Sequence, residues 1–344
     1  MRQITTLLFL SAAISTSASS VLADGMMVSA PEVYINETSQ QAVIRYDDQT
    51  NTETISILPG FRGDAQEFAW ILPMPALPDV EEEDHELFRQ MREFTRPEHH
   101  YRDGDWDGCS QYSRDYIVGV PEDGGVNIIE SQLVGYYQTM TLSSDEAPAL
   151  LDSLTQWGFL HEYNIDQATE LINSYVQQEW YFVTVKVDSA SFANAFPDYN
   201  YYGYYGGYLA PLKFTFGSDE IIYPMRISAM SASESTQVDL YVVADHRTTF
   251  PGATTRYANR FTTEEINSIG GNYYSSVKSL LEDGDFLTHL RRDFRVQDMS
   301  EDIVIVAAEN DDEYWMIYYS GMPWMTILLL GPAVIWAGYR KFFC

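Results

Sequence analysis

The sequence predicts an α+β fold, a mainly antiparallel sheet with interspersed helices, followed by one transmembrane helix at the C-terminus. Three observations predict it. Short β-branched and aromatic runs recur between turn residues. A few capped, helix-periodic segments cluster between those runs, the order expected of α+β chains and not of alternating βαβ units. Near the end, Met316 to Tyr339 forms an apolar run of about 24 residues without a charge, long enough to span a bilayer.

The strands come first. Gln41 to Tyr46, Thr54 to Leu58 and Phe68 to Leu72 are bounded by Asp, Asn, Gly and Pro. Pro73, Pro75 and Pro78 deny regular ladder pairing, so the third run should finish as an extended strand at an edge. Asp79 then reads as a helix N-cap, with Glu81, Glu82 and Glu83 in the first turn and Leu87, Phe88, Met91 and Phe94 at helical spacing.

Ser143 and Glu146 form a capping box for a helix through Leu150, Leu151, Leu154 and Trp157, stopped by Gly158. Asp166 begins another, through Leu171, Ile172 and Tyr175. Strands are expected at Trp180 to Val187, Pro211 to Phe216, Ile221 to Ser228 and Val238 to Ala244, with a turn at Gly217-Ser218-Asp219. Glu264 to Ile269, Tyr273 to Leu281 and Leu287 to Phe294 read as helical, and Ile303 to Ala308 as a last buried strand.

Both termini carry address signals. Arg2, the apolar Ile4 to Ile14 and the small residues ending Val21-Leu22-Ala23 predict a signal peptide over residues 1–23. Residues 24–313 form the extracytoplasmic α+β part, one large domain or two lobes. The transmembrane helix is placed at 314–339. Trp315, Tyr318, Tyr319 and Trp324 mark one membrane interface; Trp336, Tyr339, Phe342 and Phe343 mark the other. Arg340 and Lys341 make 340–344 a cytoplasmic tail by the positive-inside rule. The expected location is therefore the cell membrane, single-pass, with the bulk of the chain periplasmic or extracellular.

Composition narrows the function classes. A hydrophobic content of 45% with 25 Tyr fits a folded chain. A formal charge of −30 excludes nucleic acid as a partner, since phosphate contacts require a basic face. That topology also puts Cys109 and Cys344 on opposite sides of the membrane, so they cannot pair within one chain. Cys109 is left as a free thiol, a metal ligand or an intermolecular partner.

The run Phe68-Ala69-Trp70-Ile71-Leu72-Pro73-Met74-Pro75 resembles the start of the bacterial family of unknown function DUF2330, which has an aromatic-Ala-Trp pair running into Pro-x-Pro. Phe182 to Val187, Leu209 to Phe214, Ile222 to Ile227 and Phe286 to Leu290, with Met299 and Asp302, extend the likeness over most of the mature chain. The resemblance implies an exported protein, often with a C-terminal membrane helix, and brings no catalytic residues. Ala23-Asp24-Gly25 departs from the Cys-Gly-Gly-like start expected of the family.

Two segments carry candidate chemistry. Asp103, Asp105 and Asp107 alternate on a glycine-assisted loop, Asp103-Gly104-Asp105-Trp106-Asp107-Gly108, as calcium coordination by oxygen requires. Arg114 stands where an EF-hand would place its bidentate Glu, so Ca2+ would need a ligand from elsewhere. Tyr201, Tyr202, Tyr204 and Tyr205 lie on a glycine frame suited to adaptable recognition of an envelope protein or glycan. His99, His100 and Cys109, with His85, match no closed zinc spacing. The sequence thus favours a membrane-tethered binding or structural module. Its rival is a metal-dependent or hydrolytic envelope enzyme whose site is assembled from distant residues.

Overall fold

The computed structural model describes residues 26–29, 35–63, 68–101, 130–134, 137–143, 147–156, 160, 164–187, 205–231, 235–270 and 272–320. The chain opens with β1 (Met26–Ser29), β2 (Ile35–Asp47), β3 (Thr52–Gly63), β4 (Phe68–Met74) and β5 (Asp79–Glu82). Then come α1 (His85–Phe94), β6 (Glu98–Tyr101), β7 (Glu130–Val134), β8 (Tyr137–Leu142), α2 (Ala147–Gln156) and α3 (Ile165–Val176). The middle holds β9 (Tyr181–Val187), β10 (Tyr205–Tyr208), β11 (Leu212–Gly217), β12 (Ile221–Tyr223) and β13 (Ser235–Ala244). Next are β14 (Thr248–Thr249), β15 (Thr254–Arg260), α4 (Thr263–Ser268) and α5 (Ser275–Leu280). The last described elements are β16 (Phe286–Arg295), β17 (Ile303–Ala307), β18 (Tyr314–Trp315) and β19 (Ile317–Ser320).

Two sheets and two helical layers account for most of these elements. The large sheet runs β18-β15-β16-β13-β2-β3-β11-β5, with β10 beside the far end of β3. Its pairs are antiparallel except the seam between β2 and β13, where Gln237 to Val243 run parallel to Ser39 to Arg45. The second sheet runs β1-β4-β9-β8-β7. Side-chain alternation sorts each central strand between two cores. Ala42, Ile44, Leu240 and Val242 of the large sheet meet Phe68, Trp70, Val183 and Val185 of the second in one shared core. Val43, Tyr241, Val243 and Leu287 face the other way, onto Leu87, Phe88, Met91, Ile266 and Val277 of the helices α1, α4 and α5. Ala69, Ile71 and Phe182 pack on Leu150, Leu154, Ala168, Ile172 and Tyr175 of α2 and α3. The order of layers is helix, sheet, sheet, helix. A mostly antiparallel sheet protein with few helices, α+β in class, agrees with the sequence reading.

Trp70 is fully buried, and β4 is buried along its whole length because it is covered on both faces. β1 pairs only with Phe68 to Ile71, so Pro73, which has no N–H to give, lies beyond β1 with β9 on its other side.

Four sequence expectations are corrected. The acidic run does not open a helix: Asp79 to Glu82 forms edge strand β5 on β11, where Glu81 pairs with Lys213 at 2.6 Å, and Asp84 is the N-cap of α1. Carboxylates suit a helix N-terminus and a sheet edge alike. Leu287 to Phe294 is strand and not helix; β16 is held between β13 and β15, and burial on both faces hides its alternation. Ile221 to Ser228 is strand only to Tyr223, then a 3₁₀ turn over Arg226–Met230, tied by the Arg226 N–H donating to Asp302 at 2.8 Å. Finally, Tyr314 to Ser320 does not begin a membrane helix. Tyr314 and Trp315 pair with Ala258 and Tyr257, and Ile317 to Ser320 run parallel to Glu98 to Tyr101. Aromatic and β-branched residues favour that extended state. Among the described residues no helix is long and apolar enough to cross a membrane. The remainder of the expected span, 321–339, the signal segment 1–23, and Glu146 and Gly158, the second half of the α2 capping box and its stop, lie outside the described residues.

Candidate functional site

The sequence-selected residues are placed as follows. Asp103, Asp105, Asp107, Cys109, Tyr201, Tyr202 and Tyr204 lie outside the described residues. Tyr205 is not in a loop: it opens β10, paired with Gly63 of β3. His99 and His100 lie on β6, opposite Tyr318 and Tyr319. Among the described residues no three His, Cys, Asp or Glu side chains are grouped as metal ligands.

The structure brings together a different set. The last turn of α1 delivers Glu93 and Phe94, and Thr95 closes the helix with its N–H on the Met91 carbonyl at 3.0 Å. Arg96, Pro97 and Glu98 then lead into β6. A register shift between Thr255 and Tyr257 in β15 adds an extra residue, and the Arg256 carbonyl accepts from the Met316 N–H at 3.2 Å. Trp315 of β18 is thereby laid edge-on to Tyr257, with ring centroids 5.1 Å apart, and its indole N–H donates to the Arg96 carbonyl at 3.1 Å. Phe94 sits 6.1 Å from Tyr257 and 5.3 Å from Tyr274, which precedes α5.

These residues line an open groove of about 630 Å³, bounded by Glu93, Phe94, Arg96, Pro97, Glu98, Tyr257, Tyr274 and Trp315. Its size is that of a small-ligand site. Burial, then the nearby charges of Glu313 and Glu265, holds the Tyr257 hydroxyl above its ordinary range, so it stays protonated. Burial and Glu93 raise Tyr274 in the same direction. Glu93 is held from outside the groove by Arg89, which is also clasped by Glu86, lies 4.6 Å over the ring of Tyr273 and donates to its hydroxyl at 3.0 Å.

Behind the groove lies a sealed polar cluster. His289 Nε2 is 2.7 Å from Asp239 Oδ1, and its Nδ1 is 3.0 Å from Thr95 Oγ1. Arg291 donates to both Asp239 oxygens at 2.7 and 2.9 Å, and Gln237 donates to Oδ2 at 2.9 Å. Burial alone would raise Asp239, but the hydrogen bonds from His289 and Arg291 outweigh it and hold the carboxyl below its usual range. Burial depresses His289 more than Asp239 raises it, so the imidazole is neutral, with the Nε2 proton directed at the carboxylate. A hydroxyl, an imidazole and a carboxylate in this order are the parts of a nucleophilic triad. Thr95 is completely buried, however, and the ring of Tyr241 stacks on His289 at 4.3 Å. No substrate reaches that hydroxyl, and the cluster instead ties the end of α1 to the sheet.

A family model described as "uncharacterized protein conserved in bacteria (DUF2330)" matches residues 18–306. The chain belongs to that family. The segments that carry the resemblance fall on β4, β9, β11, β12 and β16, which build the shared core. Of the groove, Phe94, Tyr257 and Tyr274 lie within the matched span and Trp315 beyond it. No curated protein matches the chain. Among solved structures, the crystal structure of baculovirus P35 is similar at a TM-score of 0.35 and 9% identity, covering 83% of this chain and 97% of that one. A likeness of that size carries no argument about function.

The groove escaped the sequence reading. Its four aromatic residues come from four separate stretches of the chain, and each looks ordinary alone: Phe94 as helix core, Trp315 as a membrane-interface aromatic. The exposed Tyr-Trp-x-Ile-Tyr stretch, from Tyr314 to Tyr318, was the usable signal.

Proposed function

We propose that this protein is a membrane-tethered extracytoplasmic module that works by binding, with the aromatic groove as its contact surface. The carrying observation is a contrast in access. The groove open to solvent carries four aromatic rings, with Trp315 46% exposed, while the residues with the right order for hydrolysis are closed off in the core. The tether rests on sequence. After β19 ends at Ser320, residues 321–339 contain no charge, about 19 residues or about 28 Å as a helix, close to a hydrocarbon core of about 30 Å. The N-terminal signal and the Arg340-Lys341 flank support the same orientation. The rival hydrolytic reading requires Thr95 to reach solvent.

Site-specific photo-crosslinking tests the binding reading. A benzophenone amino acid at Tyr314, beside the groove, is expected to give a discrete adduct in intact cells. The same probe at Val306, which is at least as exposed on β17, should give none. Equal labelling at both positions, or none at either, would overturn the reading.

A further inference from the structure

Four of the eight large apolar side chains exposed among the described residues lie at one place. Tyr314, Trp315, Ile317 and Tyr318 are each 38–46% exposed and follow one another along β18 and β19. β18 is the outermost strand of the large sheet, and Trp315 is also a wall of the groove. The chain leaves this edge at Ser320 and passes directly into the uncharged run 321–339.

We propose that this aromatic edge is a membrane-docking surface, seated at the headgroup level of the bilayer that the same chain enters, so that the groove's partner is the lipid surface. The proposal rests on the tether argued above and names the partner of the same groove. Distance supports it: five residues separate Trp315 from Ser320, at most about 17 Å of extended chain. If the bilayer begins just past Ser320, the folded strand cannot carry Trp315 far from it. Chemistry supports it too. Tyr and Trp place an apolar ring beside a polar tip, the combination that favours the headgroup region. Of the neighbouring acids, Asp311 is engaged by Arg260 and His246, while Asp312 and Glu313 are exposed beside the edge, which holds it at headgroup depth and out of the hydrocarbon. With a formal charge of −30 the chain favours a zwitterionic surface over an anionic one.

Tryptophan quenching in phosphatidylcholine vesicles tests this on the full chain. Bromines are placed either near the headgroup or deep in the acyl chain. The signal of Trp315 is the difference between the wild type and Trp315→Phe; Trp324→Phe and Trp336→Phe report the tether in the same way. Loss of Trp315 fluorescence, greater with shallow than with deep bromine, is expected. Quenched Trp324 and Trp336 with an unquenched Trp315 would overturn docking while leaving the tether intact. No quenching at any of the three would overturn both, and deep quenching of Trp315 would overturn the headgroup placement. Should Trp315→Phe fold poorly, a nitroxide on Tyr314→Cys, with Cys109 and Cys344 replaced by Ser, reads the same depth and is judged by the same outcomes.

Discussion

His289 and Asp239 meet diagonally across the β16–β13 ladder with Nε2 2.7 Å from Oδ1, both nearly sealed from solvent. Arg291 completes the charge balance of the carboxylate, so the cluster holds one half-buried ion pair, with Asp239 inside and Arg291 partly in solvent, and one neutral imidazole. Removing Asp239 would unpair Arg291 and leave His289 without its acceptor. Asp239→Ala should therefore cost about 1–3 kcal/mol, the penalty for leaving a buried hydrogen-bonding partner unsatisfied while Arg291 turns to solvent. Urea melts of the purified protein measure it; a loss below about 1 kcal/mol, the scale of an exposed pair, contradicts this account.

The same pair fixes a response to acid. The folded pKa of His289 lies below the ordinary 6.5, so its contribution is complete above that value and is lost as pH falls from 6.5 toward the folded value. Asp239, held below the ordinary 3.8, contributes above that pH and loses its contribution as pH falls through its depressed value. Both signs agree: stability falls on acidification in two stages. A His289→Gln variant should lose the first stage and keep the second.

Glu53 behaves in the opposite sense. It is buried on β3, accepts the Ile222 N–H at 3.1 Å, and burial pushes it up to about 8. Its folded pKa exceeds its unfolded value of 4.5, so its stabilising contribution is present below 4.5 and is lost as pH rises through about 8. Between those limits the slope is about 1.4 kcal/mol per pH unit, flattening above. Glu53→Gln, which keeps an acceptor for Ile222, should remove the slope. Its advantage over wild type in denaturant melts should grow from pH 5 to pH 8.5, and a constant difference would contradict the assignment.

Trp70 is fully buried in the core between the two sheets. Trp70→Ala should cost about 3–5 kcal/mol and reduce folding yield. Its indole N–H has no acceptor among the described residues, so Trp70→Phe loses no hydrogen bond and should cost clearly less. Thermal melts of both variants provide the comparison.

The aspartate string from Asp103 to Asp107 gives a further test. If these carboxylates share Ca2+, a hundredfold excess over Kd should stabilise the protein by about 2.7 kcal/mol. Melts with millimolar calcium and with chelator, on wild type and Asp105→Ala, read it. A shift that survives Asp105→Ala places the ion elsewhere.

Much of the fold was legible because β2, β3, β4, β9, β11 and β13 carry β-branched and aromatic residues between clear turn signals. β16 was not: Leu287, Leu290 and Phe294 are spaced as on a helix, and burial on both faces removed the alternation that betrays a strand. The acidic run at Glu81 to Glu83 misled for another reason, since the pairing of Glu81 with Lys213 becomes visible only when β5 meets β11. The groove was invisible because Phe94, Tyr257, Tyr274 and Trp315 converge through pairings no local pattern reports.

The parallel seam between β2 and β13 has a consequence in time. Roughly 190 residues separate the end of β2 from the start of β13, a long loop to close before the seam forms. A ribosome adding about 5–20 residues per second needs about 10–40 s to cover that stretch. For that interval the β2–β3 hairpin has no partner for its β2 edge. The seven-residue row from Ser39 to Arg45 is then open to pairing with a second nascent chain. Sequence changes along that row should therefore alter the yield of folded protein more than the stability of molecules that have already folded.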